Sequence, residues 1–396
     1  MDLEVGIGDA LGTDYFFLKE QLNGQQLDHL TRTREFVTND VLPVINGYWE
    51  RAELPWPLIE KAGSLGIIAD SFEGYGCPKL DPMSAGLVNM ELNRGDGSLA
   101  TLLAVQAGLA MKSIYLLGSE EQKERWLPGM AKLAKLGAFA LTEPNHGSDS
   151  VALETSARRD GDSYVIDGAK RWIGNGTIAD VIVVWARDTE DGQVKGYLVE
   201  KGTPGYNARP IERKLALRAI WQAEIQLDGV RVPAENRLPG ARSFKDAAKV
   251  LVGTRLTCCW GALGHAVAGF DAALSYAKRR KQFGKPLAGF QIVQQRLVKM
   301  LSEITAMQLY CLQMTRLAEQ GRLGDTLAGL GKFHNTTKAR QVLSEARDLL
   351  GGNGILLDFH VMRHMVDLEA IHTYEGTETI QALIVGRDIT GIGAFA

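Results

Sequence analysis

The segment Gly137-Ala-Phe-Ala-Leu-Thr-Glu-Pro-Asn-His-Gly-Ser-Asp149 marks the point at which the chain changes its pattern, because a short apolar run ends there among turn-forming residues. Residues 15–135 before it have the apolar spacing of helices. Residues 138–240 after it alternate apolar and polar side chains between Asp-Gly turn signals, which predicts strands. Beyond them the helical pattern returns. We therefore predict helices, a β unit and a helical bundle in that order, and not a doubly wound sheet.

Individual elements can be placed within this order. The apolar, Pro-free segment 96–117 predicts a buried helix, and Ser119 followed by Gln122 fits a capping box at the start of the next one. The pattern further predicts strands around 163–167, 181–185 and 197–200, long helices over 241–281, 290–320 and 326–350, a break at Gly351-Gly-Asn-Gly354, and two shorter helices on either side of Glu375.

The composition excludes some classes of protein. The chain has 44 Lys and Arg against 47 Asp and Glu, and it has no local run of five or more basic residues. The chain therefore lacks the positive electrostatic potential with which proteins bind nucleic acid, and we expect no nucleic-acid partner. No apolar stretch approaches the roughly 20 residues needed to cross a bilayer, so we also expect no membrane span.

The two ends and the cysteines give an expectation about location. Residues 1–23 are acidic and lack the basic start and apolar core of a secretory signal. The ending Gly393-Ala-Phe-Ala396 is not a peroxisomal tripeptide. The four cysteines have neither a zinc spacing nor a disulfide framework. We expect reduced, mostly buried thiols in a cytoplasmic protein, and we predict no metal site.

The common nucleotide and hydrolase motifs do not assign a function. Gly6-x-Gly8 and Gly352-x-Gly354 do not lie between a strand and a helix of a βαβ unit, so a dinucleotide fingerprint fails on context. Walker A, HExxH and GxSxG sequences are absent from the chain. Single motifs therefore leave the function open.

Four separated segments together resemble the acyl-CoA dehydrogenase family in their order and spacing. They are Phe139-Ala-Leu-Thr-Glu-Pro-Asn-His-Gly-Ser-Asp149, Arg171-Trp-Ile-Gly-Asn175, Arg279-Arg-Lys-Gln-Phe-Gly-Lys-Pro-Leu287 with Gln291, and Asp348-Leu-Leu-Gly-Gly-Asn-Gly354 followed by Thr373-Tyr-Glu-Gly-Thr377. The resemblance implies an α+β multidomain fold with an N-terminal α-helical domain over 15–135, a middle β-barrel-like domain over 136–240 and a C-terminal four-helix bundle over 241–396. It also implies FAD as the cofactor and an acyl-CoA as the substrate.

The implied reaction needs a base beside the α-carbon of a thioester. A carboxylate can serve if an apolar pocket raises its pKa toward neutrality. Glu375 follows an apolar stretch, and Gly376 after it allows a substrate to approach the backbone. The resemblance implies that Glu375 takes the α-proton, that the β-hydrogen leaves as a hydride to the flavin, and that the Glu375 N–H helps to hold the thioester carbonyl. The alternative is that Glu375 only caps the last helix.

Fewer residues of the sequence indicate how the substrate is bound. Some family members place the base directly before a substrate-binding Arg on a long helix, but the pair here is Thr254-Arg255. The resemblance therefore leaves the base at Glu375 and makes Arg255 a substrate contact. Ser148 is expected to touch the CoA, and Leu99 and Ala100 are expected in an apolar acyl pocket.

The resemblance also implies how the flavin is held. Trp172 should cover the ring face opposite the substrate, and Arg280 suits a diphosphate because its guanidinium is a planar fork. The complete set of implied flavin contacts is Phe139, Leu141, Thr142, Gly147, Ser148, Trp172, Ile173, Gly174, Arg280, Gln282, Phe283, Gln291, Asp348, Leu349, Leu350, Gly351, Gly352 and Thr377.

Four of these residues, Arg280, Gln282, Phe283 and Gln291, resemble family residues that reach the flavin of a neighbouring subunit. A homo-oligomer is therefore implied, built as a dimer of dimers, with an electron-transfer flavoprotein as the electron acceptor. A non-catalytic flavin-binding scaffold is a third possibility, but it would require loss of the base, and Glu375 is present.

Two departures from the family pattern bear on the substrate and the acceptor. The sequence is similar to glutaryl-CoA dehydrogenases and to plant peroxisomal short-chain acyl-CoA oxidases. The Arg with which glutaryl-specific members pair a distal carboxylate falls on Ala100, which favours a short acyl chain over glutaryl-CoA, since a buried unpaired carboxylate costs several kcal/mol. Gly174 stands where most dehydrogenases have Thr beside flavin N5, so a hydrogen bond to the flavin is lost and we expect space to open beside N5. An oxidase that uses O2 therefore remains an alternative.

Overall fold

The computed structural model describes residues 14, 16–68 and 72–394. Tyr15 and Ala396, at which the first and last predicted domains begin and end, lie outside the described residues, as do residues 1–13, which include Gly6 and Gly8.

The first part of the chain is helical. The helices are α1 Gly24–Phe36, α2 Ile45–Arg51, α3 Trp56–Ser64, α4 Pro82–Gly95, α5 Gly97–Ala104, α6 Lys112–Leu117 and α7 Glu120–Ala131. Side chains fix several of their starts: Asn23, Asp81 and Asp96 cap α1, α4 and α5. The predicted capping box of Ser119 and Gln122 at α7 is confirmed.

The segment from α5 to α6 corrects one expectation. A wider turn over Val105–Met111 joins the two helices into the single helix predicted for 96–117. Gly97–Leu117 has 21 residues and a mean hydropathy of 1.5, so its length and composition alone would let it cross a bilayer, contrary to the sequence analysis. Within the fold, 56% of its most apolar window is buried, as in the core helix of a globular protein.

The middle of the chain forms one curled, seven-stranded sheet. Its strands are β1 Gly137–Ala140, β2 Ser156–Asp160, β3 Ser163–Gly174, β4 Val181–Asp188, β5 Val194–Glu200, β6 Tyr206–Pro210 and β7 Gln222–Pro233. The order is β1-β4-β2-β3-β7-β6, with β5 also paired to β4. β4 is buried on both faces: Val183 packs on the N-terminal helices and Ile182 on the opposite side. β3, β4 and β5 lie at the predicted strands, whereas β1, β2, β6 and β7 were not predicted individually.

The last part of the chain is helical again. Three long helices are α8 Phe244–Arg279, α9 Gln291–Glu319 and α10 Asp325–Leu349, and two shorter ones are α11 Val361–Thr373 and α12 Glu378–Thr390. The three long helices lie within three residues of their predicted bounds, and the two shorter ones flank Glu375 as predicted. A small hairpin of β8 Lys281–Gln282 and β9 Lys285–Pro286 separates α8 from α9. The order of helical, β and helical parts is thus as predicted, while the domain bounds stay a prediction.

A buried ion pair fastens α11 to the N-terminal helices. The Arg363 guanidinium and the Asp96 carboxylate are fully buried, with Nη1 and Oδ2 2.6 Å apart. Arg363 also donates to the Gly95 carbonyl at 2.9 Å and to Asn46 Oδ1 at 3.0 Å. The other Asp96 oxygen accepts the Leu99 N–H at 2.8 Å. One carboxylate thus caps α5 and holds α11.

A second acid on α11 ties this helix to the middle part of the chain. Asp367 Oδ1 accepts the Trp49 indole N–H at 3.0 Å and the Leu217 N–H at 2.6 Å. Burial, with the negative charge of Asp96 nearby, raises the pKa of Asp367 to about 7. Because α11 ends at Thr373, these contacts fix the residues that follow it.

The Arg363–Asp96 pair should carry much of the free energy of unfolding. We expect Arg363→Met to lower it by about 3–5 kcal/mol, because Asp96 would remain buried without its partner. Arg340→Met is the matched control, since Arg340 and Glu369 are 46% and 49% exposed and the loss of such a pair costs about 0–1 kcal/mol. Urea unfolding measures both changes, and equal losses would contradict the role given to the buried pair.

Candidate active site

Glu375 lies in the four-residue loop between α11 and α12. Its backbone is left-handed, with φ of 55°, and Gly376 follows at 83°. A non-glycine residue in this region stores strain and needs support from its surroundings. The side chain of Glu375 is partly buried. The loop therefore directs one acidic side chain inward from the junction of two helices.

The Glu375 carboxylate is bonded to α8. The Thr254 hydroxyl donates to Glu375 Oε2 at 2.6 Å. Burial raises the pKa of the Glu375 carboxyl above its ordinary value, and the Thr254 hydrogen bond and the cations Lys332 and Arg255 act against that rise. A carboxylate with these surroundings can accept a proton from carbon near neutral pH.

Arg255, predicted as a substrate contact, is engaged with a neighbouring helix. Its Nη1 lies 2.9 Å from Asp325 Oδ1 at the start of α10, and its side chain is mostly buried. It remains close enough to lower the pKa of Glu375. Its contact with a substrate stays a prediction.

The backbones of the first two family-like segments meet at the edge of the sheet. The Arg171 N–H donates to the Thr142 carbonyl at 2.9 Å, and the Lys170 ammonium donates to the Leu141 carbonyl at 3.0 Å. Leu141 is buried and Thr142 half-buried, whereas Gly147 and Ser148 are exposed. Phe139 is buried against Trp185, with ring centroids 5.8 Å apart. Phe139 thus supports this edge from behind.

A buried ion pair shapes the same edge. Lys170 Nζ lies 2.9 Å from Glu143 Oε1, and the backbone N–H groups of Glu154 and Thr155 also donate to this carboxylate, at 2.6 and 2.9 Å. Burial lowers the pKa of Lys170 to about 8, with Glu143 opposing it. Glu143, His146 and Glu154 bring possible metal ligands within 4.8 Å of one another. The Glu143 carboxylate already accepts from three donors.

Trp172 has the geometry expected of a platform for a flat ring. It lies in β3 between Lys170 and Ile173, where the pairing with β7 shifts register, and its φ is 64°. This bulge turns the indole outward, so that it is 53% exposed while Ile173 and Gly174 are buried. A large exposed aromatic held on strained backbone fits a flavin ring, whose flat face can stack on it.

The space beside Gly174 is filled by another residue. A Cβ added at Gly174 would lie 3.0 Å from Val105 Cγ2 and 3.8 Å from Ile220 Cδ1. Val105 therefore occupies the volume that a side chain at position 174 would need. The sequence analysis expected an opening at this point and missed Val105.

The residues predicted to reach a neighbouring subunit's flavin lie on an exposed surface. Arg280, Gln282, Phe283 and Gln291 are all exposed, and Phe283 is 94% exposed with a φ of 50°. Among the described residues, no hydrogen bond or ion pair joins this surface to the edge around Thr142 and Trp172. That separation suits a cofactor shared between two copies of the chain.

The glycine-rich segment after α10 adjoins this surface. Asn353 Nδ2 donates to the Tyr276 hydroxyl at 3.0 Å, and Asp348 Oδ2 lies 2.7 Å from Arg296 Nη2. Gly351 and Gly352 are exposed and can offer backbone N–H groups. Leu349 and Leu350 are buried in the C-terminal core, so only their backbone could meet a flavin. The Thr377 hydroxyl caps α12 by accepting the Ile380 N–H at 3.2 Å.

The predicted acyl-pocket residues lie deeper than expected. Leu99 and Ala100 are each 1% exposed within the core between the N-terminal helices and the sheet. A cavity of about 300 Å³ lies elsewhere, between α4, α6 and the face of α8 around Gly253 and Thr257. Neither Leu99 nor Ala100 lines it. Their part in a substrate pocket stays a prediction.

Two residues near Glu375 were missed by sequence reasoning. The Lys332 ammonium donates to the carbonyls of Tyr374 and Gly376, and Gln381 Nε2 donates to those of Glu375 and Gly376, both at 3.0 Å. A signal existed for Lys332, since it falls in the helical stripe of small buried residues that includes Ala328 and Ala339. A charged residue in such a stripe indicates a special contact.

Comparison with known proteins agrees with this arrangement. The acyl-CoA dehydrogenase models of the N-terminal, middle and C-terminal domains match residues 24–134, 138–230 and 244–390. The short-chain specific acyl-CoA dehydrogenase of Clostridium acetobutylicum is 34% identical over 361 residues, which cover 90% of this chain and 95% of that protein.

Two solved structures have the same fold. A glutaryl-CoA dehydrogenase from Mycobacterium smegmatis in complex with FADH2 is 38% identical, with a TM-score of 0.95 over 98% of this chain and 100% of that one. A structure described as the electron transferring flavoprotein of Acidaminococcus fermentans is 31% identical, with a TM-score of 0.90 over 93% and 98% of the two chains. The chain belongs to the acyl-CoA dehydrogenase family and is an FAD-dependent oxidoreductase that acts on acyl-CoA thioesters.

Proposed function

We propose that the chain dehydrogenates a short-chain acyl-CoA between its α- and β-carbons and that Glu375 is the base. The observation that carries this proposal is the position of the Glu375 carboxylate, which is partly buried, bonded to Thr254 and raised in pKa. FAD, when bound, accepts the hydride from the β-carbon.

The residues of the chain supply the proton chemistry. Thr254 holds one Glu375 oxygen at 2.6 Å, and no hydrogen bond from the described part of the chain engages the other, which can take the α-proton. Among the described residues, the Glu375 N–H has no protein acceptor, so it can donate to the thioester carbonyl and stabilise the charge that develops there. Gly376 has no Cβ to obstruct the thioester. Proton removal and carbonyl binding thus come from one loop.

The flavin would be held by two surfaces. The edge formed by Leu141, Thr142 and Trp172 would contact the ring, and Arg280 and Phe283 of a second copy would meet the diphosphate and adenine. We therefore propose a homo-oligomer, built as a tetramer, in the cytoplasm. The exposure of Phe283, a large aromatic residue of the hairpin region, supports an interface between copies.

The charges near the site favour a substrate without a distal carboxylate. Arg94, a cation near the predicted acyl pocket, is buried with its Nε 2.7 Å from Glu91 Oε2, and Arg34 also pairs with Glu91. Arg94 is therefore committed to another acid. With Ala100 in place of the Arg of glutaryl-specific members, we propose a short monocarboxylic acyl chain. The likeness to a glutaryl-CoA dehydrogenase makes glutaryl-CoA the second candidate.

We propose an electron-transfer flavoprotein as the acceptor. Its support is the likeness to the Acidaminococcus fermentans structure and the packing beside Gly174, where a Cβ would lie 3.0 Å from Val105 Cγ2. The oxidase alternative depended on that space being open.

Replacing the base tests the assignment. We expect Glu375→Gln to slow anaerobic flavin bleaching by butyryl-CoA by roughly 10²–10⁴-fold, because the amide cannot take the proton. The protein should stay yellow. The control, Glu369→Gln, removes an acid of α11 that pairs with Arg340 and should bleach like the wild type. Normal bleaching of Glu375→Gln would contradict the assignment.

The rate of bleaching should depend on pH through the same group. Glu375 acts only when ionised, and burial raises its pKa, so we expect the rate to rise with pH across a range above the ordinary glutamate value. Stopped-flow reduction between pH 5 and 9 measures this. A rate that is already maximal at pH 5 would argue against a raised pKa.

A panel of acyl-CoAs tests the substrate. We expect kcat/KM for butyryl-CoA to exceed that for glutaryl-CoA by about 100-fold, since a loss of roughly 3 kcal/mol for an unpaired carboxylate corresponds to that ratio. Rapid turnover of glutaryl-CoA with release of CO2 would overturn the short-chain proposal in favour of the second candidate.

Reoxidation tests the acceptor. We expect the reduced enzyme to react faster with electron-transfer flavoprotein than with O2, and Val105→Ala to speed the reaction with O2 several-fold by opening the space beside Gly174. Val342→Ala, which removes the same atoms from the C-terminal core, is the matched control. Fast reoxidation of the wild type by air would instead favour the oxidase.

A further inference from the structure

Lys332 is a buried cation whose ammonium group faces the catalytic loop. It lies on α10 and is 1% exposed. Its Nζ donates to the carbonyl oxygens of Tyr374 and Gly376, the residues on either side of Glu375. One side chain therefore clamps the loop from both sides of the acid.

The charge of Lys332 has few other partners. Among the described residues, no carboxylate oxygen lies within 4.0 Å of its ammonium nitrogen, so no ion pair offsets the cost of burial. The charged and titratable groups that shift the pKa of Lys332 are Arg255, Cys258 and Cys259 of α8 and Glu375 of the loop. Lys332 in turn lowers the pKa of His372 of α11. Burial raises the pKa of Cys258 to about 12 and the pKa of Cys259 well above its ordinary value, so both thiols are neutral. Glu375 is thus the only anion of the group.

The backbone that Lys332 holds needs such support. Glu375 and Gly376 are both left-handed, which leaves the carbonyl groups of the loop without the partners that a helix would give them. Lys332 binds two of them from α10, and Gln381 binds the Glu375 and Gly376 carbonyls from α12. The loop is therefore held by one charged and one neutral side chain.

We propose that Lys332 is a positioning residue for Glu375: it fixes the loop so that the carboxylate meets Thr254 and the α-carbon, and its charge keeps that carboxylate ionised. The proposal rests on Glu375 being the base. Loss of Lys332 should leave Glu375 more readily protonated, because burial would then act against the charge with less opposition.

The experiment separates charge from loop geometry. Lys332→Met removes both the charge and the hydrogen-bond donors, whereas Lys332→Arg keeps the charge. Gln381→Met removes only the neutral donor that binds the same loop from α12. We expect Lys332→Met to slow flavin reduction by butyryl-CoA roughly tenfold or more at pH 7. That loss should shrink as the pH rises and Glu375 ionises.

The two comparison variants should differ from Lys332→Met in their pH profiles. Gln381→Met should lose rate by the same factor at every pH, and Lys332→Arg should keep the wild-type pH dependence even if it is slower. If Lys332→Met does not fold, Lys332→Gln, which keeps a donor, takes its place. A Lys332→Met profile parallel to that of Gln381→Met would overturn the charge role.

A second readout needs no flavin. ¹³C NMR of protein with labelled Glu side chains, titrated without flavin, would follow the Glu375 carboxyl, identified by its absence in Glu375→Gln. We expect the carboxyl to titrate at higher pH in Lys332→Met than in the wild type. An unchanged titration would refute the proposal.

The outcomes distinguish this inference from the proposed function. If Glu375→Gln still bleaches normally, the base is elsewhere and the proposed function fails. If Glu375→Gln is inactive but Lys332→Met matches the wild type in both rate and titration, only the inference about Lys332 fails.

Discussion

The buried contact between Arg363 and Asp96 is the constraint on which the position of the base depends. It fixes α11 against the first helices of the chain, and Asp367, one turn further along, fixes the same helix to Trp49 and Leu217. Because Glu375 follows the end of α11, three parts of the chain together determine where its carboxylate lies. The catalytic loop has little freedom to move without breaking buried polar contacts, whose loss is costly.

Buried charged side chains occur at two places around the site. Glu143 and Lys170 are buried as a pair behind the edge proposed to contact the flavin, and Lys332 is buried without such a pair beside Glu375. The first arrangement stabilises a fixed surface, since both charges are satisfied. The second leaves a cation that acts electrostatically on the carboxylate of the proposed base. Buried Lys and Glu side chains thus stabilise the sheet edge in one place and tune the ionisation of the catalytic loop in the other.

Much of this could be predicted from the sequence. The order of helices, strands and helices followed from apolar spacing, and the family-like segments pointed to Glu375. The exposed strands β2 and β6 could not be seen, because most of their residues are polar and lack a clear alternation. Lys332 lies 43 positions before Glu375, and Val105 lies far along the chain from Gly174, so their contacts depend on packing that no local pattern reports. The hydropathy of Gly97–Leu117 was also underestimated.

The central claim is that the Glu375 carboxylate removes the α-proton. It is tested most directly with a 3-thia-acyl-CoA, whose α-protons are acidic but which has no β-hydrogen to transfer, so that proton removal is observed alone. In D2O, the flavin-loaded wild type should exchange the α-protons for deuterium, as followed by ¹H NMR, and Glu375→Gln should not. Exchange at equal rates in both proteins would contradict the account.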